Sequence, residues 1–118
     1  MSLVADLAEM PGVIAAGEYS YRGDRFSYKG QLTEEYARMA SIMCRATTMG
    51  VHMQTDILAS FRANTGVDPS RGWVVKGPRF TVCVLYNVFC FMDNTSGSLN
   101  EVMSHMSTAL ADATDDLI

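Results

Sequence analysis

Residues 73–94, WVVKGPRFTVCVLYNVFCFMDN, decide the fold because they predict three consecutive β-strands. Two turn signals, Lys76–Arg79 and Tyr86-Asn87, divide this stretch into the strands Trp73–Val75, Phe80–Leu85 and Val88–Met92. Apolar residues occupy both faces of the last two strands: Val82, Val84, Phe89 and Phe91 on one face, and Cys83, Leu85, Val88 and Cys90 on the other. Strands that are apolar on both faces are central strands covered from both sides. The sequence therefore predicts a sheet with a helical layer on each face.

Two further strands are predicted upstream, in VIAAGEYSY and RFSYKG, with Arg22-Gly23-Asp24 between them. This tripeptide is often associated with cell adhesion, which requires export. The N-terminus lacks the basic and apolar regions of a signal peptide. Gly23-Asp24 instead predicts the positive φ angles of a tight hairpin turn, and we favour the turn.

Helical patterns account for the rest of the chain. Leu3, Val4, Leu7 and Met10 predict a first helix over 2–10, and Ser98 with Glu101 has the spacing of a capping box before a last helix. Thr33 begins a long helix that we expect to end near Ala63, before Asn64 and Gly66. The predicted order is α-β-β-α-β-β-β-α. It corresponds to one α+β domain over residues 1–118, with a five-stranded antiparallel sheet in α/β/α layers.

The long helix has more apolar surface than packing on one sheet requires. A first apolar stripe contains Met39, Met43, Ala46, Gly50, Met53, Ile57 and Phe61. A second, adjacent stripe contains Tyr36, Ala40, Cys44, Thr47, Val51 and Leu58. The remaining arc is polar and contains Glu34, Arg38, Ser41, Arg45, Thr48, His52 and Asp56. Two stripes predict that the helix contacts the sheet and a second surface.

Composition excludes some classes of function. The net charge is −4, from 9 Lys and Arg against 13 Asp and Glu, and no basic stripe indicates nucleic-acid binding. No apolar run is long enough to span a bilayer. Three cysteines without the spacing of a disulfide framework are typical of a reducing cytoplasm, which is the location that we expect.

Cys83 and Cys90 are the strongest candidates for chemistry, because a two-residue turn at Tyr86-Asn87 places them opposite each other. They could form a redox pair, but we favour small buried apolar residues for these two and for Cys44. No cysteine or histidine spacing predicts a metal site. His52 and His105 lack a nucleophile partner, and no phosphate-binding loop is present, so the sequence predicts no catalytic or cofactor-binding residues. Arg38, Arg45 and His52 form a basic row on the long helix, which is either a solvated face or a docking strip for an acidic partner.

The order of elements resembles the Roadblock (dynein light-chain) family, which has a profilin-like fold. The matching features are Leu3 and Leu7 before MPGVIAAG, Gly23 in the hairpin, the long second helix and the terminal strand–strand–helix run. The resemblance implies a dimer in which the long helices pack together and the strands Gly72–Lys76 pair. The exposed edge that such a strand would present also favours pairing. The expected interface contains Met39, Met43, Ala46, Gly50, Met53, Ile57, Trp73, Val74 and Val75.

The resemblance further implies a non-enzymatic adaptor or regulator whose partner is a small Ras-like GTPase or another protein. The alternative is a small-ligand or redox-responsive sensor, which would use a pocket between the sheet and the terminal helices together with Cys83 and Cys90. Neither function requires a cofactor, a nucleic acid or a membrane.

Overall fold

The computed structural model describes residues 2–61, 66 and 70–111, and it confirms the predicted order of elements. The elements are α1 (Leu3–Ala8), β1 (Val13–Tyr19), β2 (Phe26–Gly30), α2 (Glu34–Phe61), β3 (Gly72–Lys76), β4 (Phe80–Leu85), β5 (Val88–Asp93) and α3 (Leu99–Ala109). The predicted end of α2 at Ala63 and Asn64 lies outside the described residues. The N-cap hydroxyls of Ser2 and Ser98 accept hydrogen bonds from backbone N–H groups of α1 and α3, which fixes where these helices begin.

All five strands form one sheet in the order β2-β1-β5-β4-β3, and every neighbouring pair is antiparallel. The predicted fold class is therefore confirmed. Leu85 lies opposite Val88 across the turn, and Cys83 lies opposite Cys90, as the two-residue loop required.

The sheet separates two apolar cores, and β4 and β5 contribute alternate side chains to each. The core on the side of α1 and α3 includes Leu7, Cys83, Cys90, Val102 and Met106. The core on the side of α2 includes Tyr19, Cys44, Val84, Phe89 and Phe91. Both faces of β4 and β5 are thus used in packing, as their apolar pattern predicted.

The β1–β2 connection differs from the predicted tight turn. It is a six-residue loop over Ser20–Arg25, closed by a hydrogen bond of 2.9 Å from Ser20 N to Arg25 O. Within this loop Gly23 has a positive φ of 83°, whereas Asp24 does not. Asp24 contributes through its side chain instead, because its carboxylate accepts a hydrogen bond of 2.7 Å from the Ser20 hydroxyl.

The side of α2 that faces the sheet also differs from the prediction. The buried residues are Ala37, Ala40, Ser41, Cys44, Thr48 and Thr55, so Ser41 and Thr48 do not belong to a solvated arc. Their hydroxyls are buried because each has a hydrogen-bond partner: Ser41 donates to Ala37 O at 2.8 Å, and Thr48 bonds to side chains of the sheet. Tyr36 and Leu58, assigned to the second apolar stripe, are exposed. Small residues thus bring α2 close to the sheet.

Candidate interaction surfaces

The side of α2 that points away from the sheet is apolar, and no other element of the described part of the chain covers it. We call this surface the outer face, and it consists of Tyr36, Met39, Met43, Ala46, Met49, Gly50, Met53, Ile57 and Phe61. Met53 is 65% exposed and Phe61 is 78% exposed. At 3.6 residues per turn, the centre of this face lies roughly 160° around the helix from the buried residues. The outer face therefore cannot contribute to the core of its own subunit.

Gly50 lies in the middle of the outer face. A Cβ atom added there would have no atom within 4 Å, so packing inside the subunit does not require a glycine. A glycine in a helix interior is about 1 kcal/mol less favourable than alanine. A glycine in an apolar face with open space around it instead suits the close approach of a second backbone.

β3 is an edge strand that pairs only with β4 within the described part of the chain. Val74 and Val75 are exposed, at 41% and 58%. Trp73 is half-buried and turns inward, where its Nε1 donates a hydrogen bond of 2.8 Å to the Thr48 hydroxyl. Of the three β3 residues in the predicted interface, two are therefore exposed and one packs inside the subunit.

The predicted basic row is divided among different surroundings. Arg38 is exposed beside the β1–β2 loop, whereas Arg45 is half-buried and its Nε donates a hydrogen bond of 2.6 Å to Tyr21 O. His52 is exposed and borders a small hollow with Tyr21 and Trp73. The row does not form one continuous patch, because two turns of α2 separate each residue from the next.

The three cysteines are free and buried. Burial raises the pKa of the Cys44 thiol to about 12, and the adjacent Cys83 together with burial raises the pKa of Cys90 above its ordinary value. The Cys83 thiol lies 3.8 Å from Cys90 O, as a weak donor. The hydrogen bond with Cys90 lowers the pKa of Cys83, so the reactive thiolate form is disfavoured at Cys44 and Cys90 but not at Cys83. The burial of all three side chains favours packing roles for them.

A family model and two solved structures match the chain. A family model described as an uncharacterized conserved protein (DUF2173) matches residues 4–108. The chain belongs to the DUF2173 family. No curated protein matches this DUF2173 sequence.

Solved structures share the fold of this DUF2173 chain. The Roadblock/LC7 domain from Streptomyces avermitilis has a TM-score of 0.65 at 17% identity, over 93% of this chain and 90% of that domain. Myxococcus xanthus MglB has a TM-score of 0.65 at 15% identity, over 93% of this chain and 84% of that protein. The resemblance to Roadblock proteins is thereby confirmed for the fold.

The described part of this DUF2173 chain contains neither a metal-binding cluster nor a membrane-spanning helix. Within the described ranges, no group of three His, Cys, Asp or Glu side chains is close enough to hold a metal ion. Among the helices that the structure describes, none combines the length and apolar character needed to cross a bilayer.

Sequence reasoning missed the part of the surface that the β1–β2 loop brings to α2. Arg25 and Phe26 line a cavity with Arg38, although 13 positions separate Arg25 from Arg38 in the sequence. The basic residues of both segments are visible in the sequence. Their proximity is not, because it depends on how the loop folds.

Proposed function

We propose that this DUF2173 protein is a non-enzymatic homodimer that acts as an adaptor or regulator in the cytoplasm, with a small Ras-like GTPase as the class of partner. The single observation that carries the proposal is the outer face of α2, an apolar surface on the opposite side of the helix from the core. Monomeric soluble proteins rarely expose contiguous apolar surface of this kind, and such surface marks interaction sites. The partner class comes from the resemblance to the Roadblock family.

The spacing of the outer face supports a second copy of α2 as its occupant. Its central positions, Met39, Met43, Ala46, Gly50, Met53 and Ile57, are separated alternately by four and three residues. This is the heptad spacing of helices that pack side by side. The gap that Gly50 leaves among methionines suits the close approach of paired helices.

β3 supplies the second contact in the proposed dimer. An exposed strand edge invites pairing, and antiparallel pairing of two β3 strands about a two-fold axis would close both edges without leading to a fibre. Val74 is the middle residue of this five-residue strand. A two-fold axis near Val74 would extend the sheet across both subunits and would bring the exposed Val75 side chains into the contact.

The dimer is tested by light scattering at micromolar concentration. We expect the wild-type protein to have twice the 12.9 kDa mass of one chain. The double variant Met53→Asp, Ile57→Asp should have the mass of one chain, because burying two unpaired carboxylates is strongly unfavourable. His52→Asp is the matched control, since it introduces the same side chain one position from Met53 on the polar flank. A monomeric wild type, or a double variant that remains dimeric, would contradict the proposal.

The partner class is tested separately with the purified dimer. We expect it to retain a Ras-like GTPase from extracts of its own cells at one-to-one or one-to-two stoichiometry, and to bind that GTPase again when both are purified. A dimer that binds no purified GTPase, in either nucleotide state, would remove this part of the proposal and leave the dimer standing.

A further inference from the structure

A cavity of about 150 Å³ lies between the β1–β2 loop and α2. Its lining comes from the loop and the start of β2, from α2, and from Tyr19 at the end of β1. The lining residues are Tyr19, Gly23, Asp24, Arg25, Phe26, Arg38, Ser41 and Ile42. A cavity of about 150 Å³ can hold a group of the size of benzene, so this one has room for one side chain of a ligand rather than for a large cofactor.

The loop that forms one wall has a defined shape, which depends on Ser20. The Ser20 hydroxyl accepts hydrogen bonds of 3.1 Å from the backbone N–H groups of Asp24 and Arg25, and it donates to the Asp24 carboxylate. The Ser20 N–H donates a hydrogen bond to Arg25 O, and Ser20 O accepts one from the Gly23 N–H, both at 2.9 Å. Ser20 itself is fully buried. The backbone of Arg25 is therefore held beside the cavity before any ligand binds.

Two cationic side chains line the cavity, and one of them, Arg25, is near enough to Asp24 for its charge to help lower the pKa of that carboxyl. Within the described part of the chain, neither Arg25 nor Arg38 forms a hydrogen bond or ion pair through its guanidinium group. The neighbouring Arg45 is bound to Tyr21 O. Among the described lining residues only Asp24 has a carboxylate, and its hydrogen bond with Ser20 holds its pKa below the ordinary value. Two guanidinium groups and one carboxylate leave a single net positive charge, which suits a monoanion better than a phosphate dianion.

The distribution of charge over the molecule makes this surface distinctive. Arg22, Arg25, Arg38 and Arg45 lie in the loop and the adjacent part of α2, together with Asp24 and, one turn before Arg38, Glu34 and Glu35. The other residues of the chain carry five basic and ten acidic side chains. A basic surface on an otherwise acidic protein steers acidic partners to one place and disfavours other orientations.

The cavity also has apolar walls. Phe26 is half-buried and stacks with Tyr28, with ring centroids 6.4 Å apart, and Ile42 is 52% exposed at the border of the outer face. A ligand that fills the cavity would therefore combine an anionic group with an apolar group. A protein segment in which Asp or Glu stands next to an apolar residue has both.

We propose that the cavity between the β1–β2 loop and α2 binds an Asp or Glu side chain of a protein partner, with Arg25 and Arg38 holding the carboxylate and Phe26 and Ile42 contacting the residue beside it. The proposal deepens the proposed function, since it assigns a surface and a chemical character to the partner of the dimer. Planar guanidinium groups suit this role because they present several fixed donors to a carboxylate.

The test uses the full chain and the peptide acetyl-Ser-Glu-Leu-Ser-amide, followed by ¹H–¹⁵N NMR. We expect saturable shifts of the Gly23, Asp24, Arg25 and Ile42 amide signals, and about tenfold weaker binding by Arg25→Gln or Arg38→Gln, as is typical for loss of a charge-assisted hydrogen bond. The matched control is Arg79→Gln, an exposed arginine before β4, which should bind as wild type does.

Three results would overturn the proposal. They are equal shifts with the Gln form of the peptide, no weakening by Arg25→Gln and Arg38→Gln, or acetate binding as tightly as the peptide, which would indicate a free anion as the ligand. Light scattering of the same samples separates this proposal from the dimer, because Arg38→Gln should leave the dimer intact. Loss of peptide binding with an intact dimer leaves the proposed dimer untouched.

Discussion

Thr48 connects α2 to the sheet through a single hydroxyl group. Its Oγ1 accepts a hydrogen bond of 2.8 Å from Trp73 Nε1 and lies 3.0 Å from the Tyr19 hydroxyl, where either oxygen can be the donor. Trp73 is in the edge strand β3, and Tyr19 is at the end of β1. One threonine thereby fixes the position of α2 over strands that are not neighbours in the sheet.

We expect Thr48→Val to lower the free energy of unfolding by about 2 kcal/mol, because it leaves the buried Tyr19 hydroxyl and the Trp73 N–H without their partner. Thr48→Ser keeps the hydroxyl group and should lose clearly less. Urea unfolding at one protein concentration measures both. Equal stability of the two variants would show that the hydrogen bonds contribute little.

Tyr19 also makes stability depend on alkaline pH. Burial raises the pKa of its hydroxyl from 10.0 to about 12. The stability that this group contributes is fully present below pH 10.0. It is lost as the pH rises towards 12, because the unfolded tyrosine releases its proton while the folded one retains it.

We expect wild-type protein to lose about 2 kcal/mol more than Tyr19→Phe between pH 9.5 and pH 12, since two pKa units correspond to about 2.7 kcal/mol and most of this is lost by pH 12. Urea titrations at several pH values measure the difference. Parallel losses in the two proteins would show that Tyr19 ionises alike in the folded and unfolded states.

The strands could be predicted from the sequence more completely than the orientation of the long helix. β4 begins and ends at the predicted residues, because a strand with two apolar faces has an unambiguous pattern. In α2, hydropathy could not distinguish an apolar residue that packs on the sheet from one that faces outward. The inward side is marked by small size instead, in Ala37, Ala40, Ser41 and Cys44.

Gly50→Ala separates the stability of α2 from its pairing. An added methyl group should stabilise the helix of a single subunit by about 1 kcal/mol. The same methyl group should hold two paired helices apart and weaken the dimer by about tenfold, which corresponds to 1.4 kcal/mol.

Light scattering on dilution measures the dimer in this experiment, and thermal unfolding in the Met53→Asp, Ile57→Asp background measures the single subunit. An unchanged dimer dissociation constant in Gly50→Ala would show that Gly50 does not lie at the contact.

The subunit as a whole protects its three thiols, two of which lie in one core and one in the other. Reagents can reach them only when the molecule opens. We expect Cys44, Cys83 and Cys90 to react slowly with a thiol reagent in native buffer, and within seconds in urea. Ser104→Cys, on the exposed side of α3, is the positive control and should add one fast thiol. Fast native labelling of Cys83 and Cys90 would restore the redox alternative.

The two candidate surfaces differ in how far the sequence predicts them. The outer face of α2 follows from helical spacing alone, so Met39, Met43, Met53 and Ile57 could be named in advance. The cavity combines α2 with a loop that ends nine positions before α2 begins, and its shape depends on the bonds of Ser20. A pattern of hydropathy contains no information about such bonds.

In the β1–β2 loop, the residues that form the internal hydrogen bonds (the framework) are different from the arginines that face outward. Ser20, Gly23 and Asp24 supply its internal hydrogen bonds and its positive φ, whereas the Arg22 and Arg25 side chains act on the loop only through their charges near Asp24. Natural variants could therefore exchange these two side chains while the backbone of the loop stays constant. Relatives with the same framework would then diverge in the proteins that they recognise, and an engineer could redirect binding by substituting two positions.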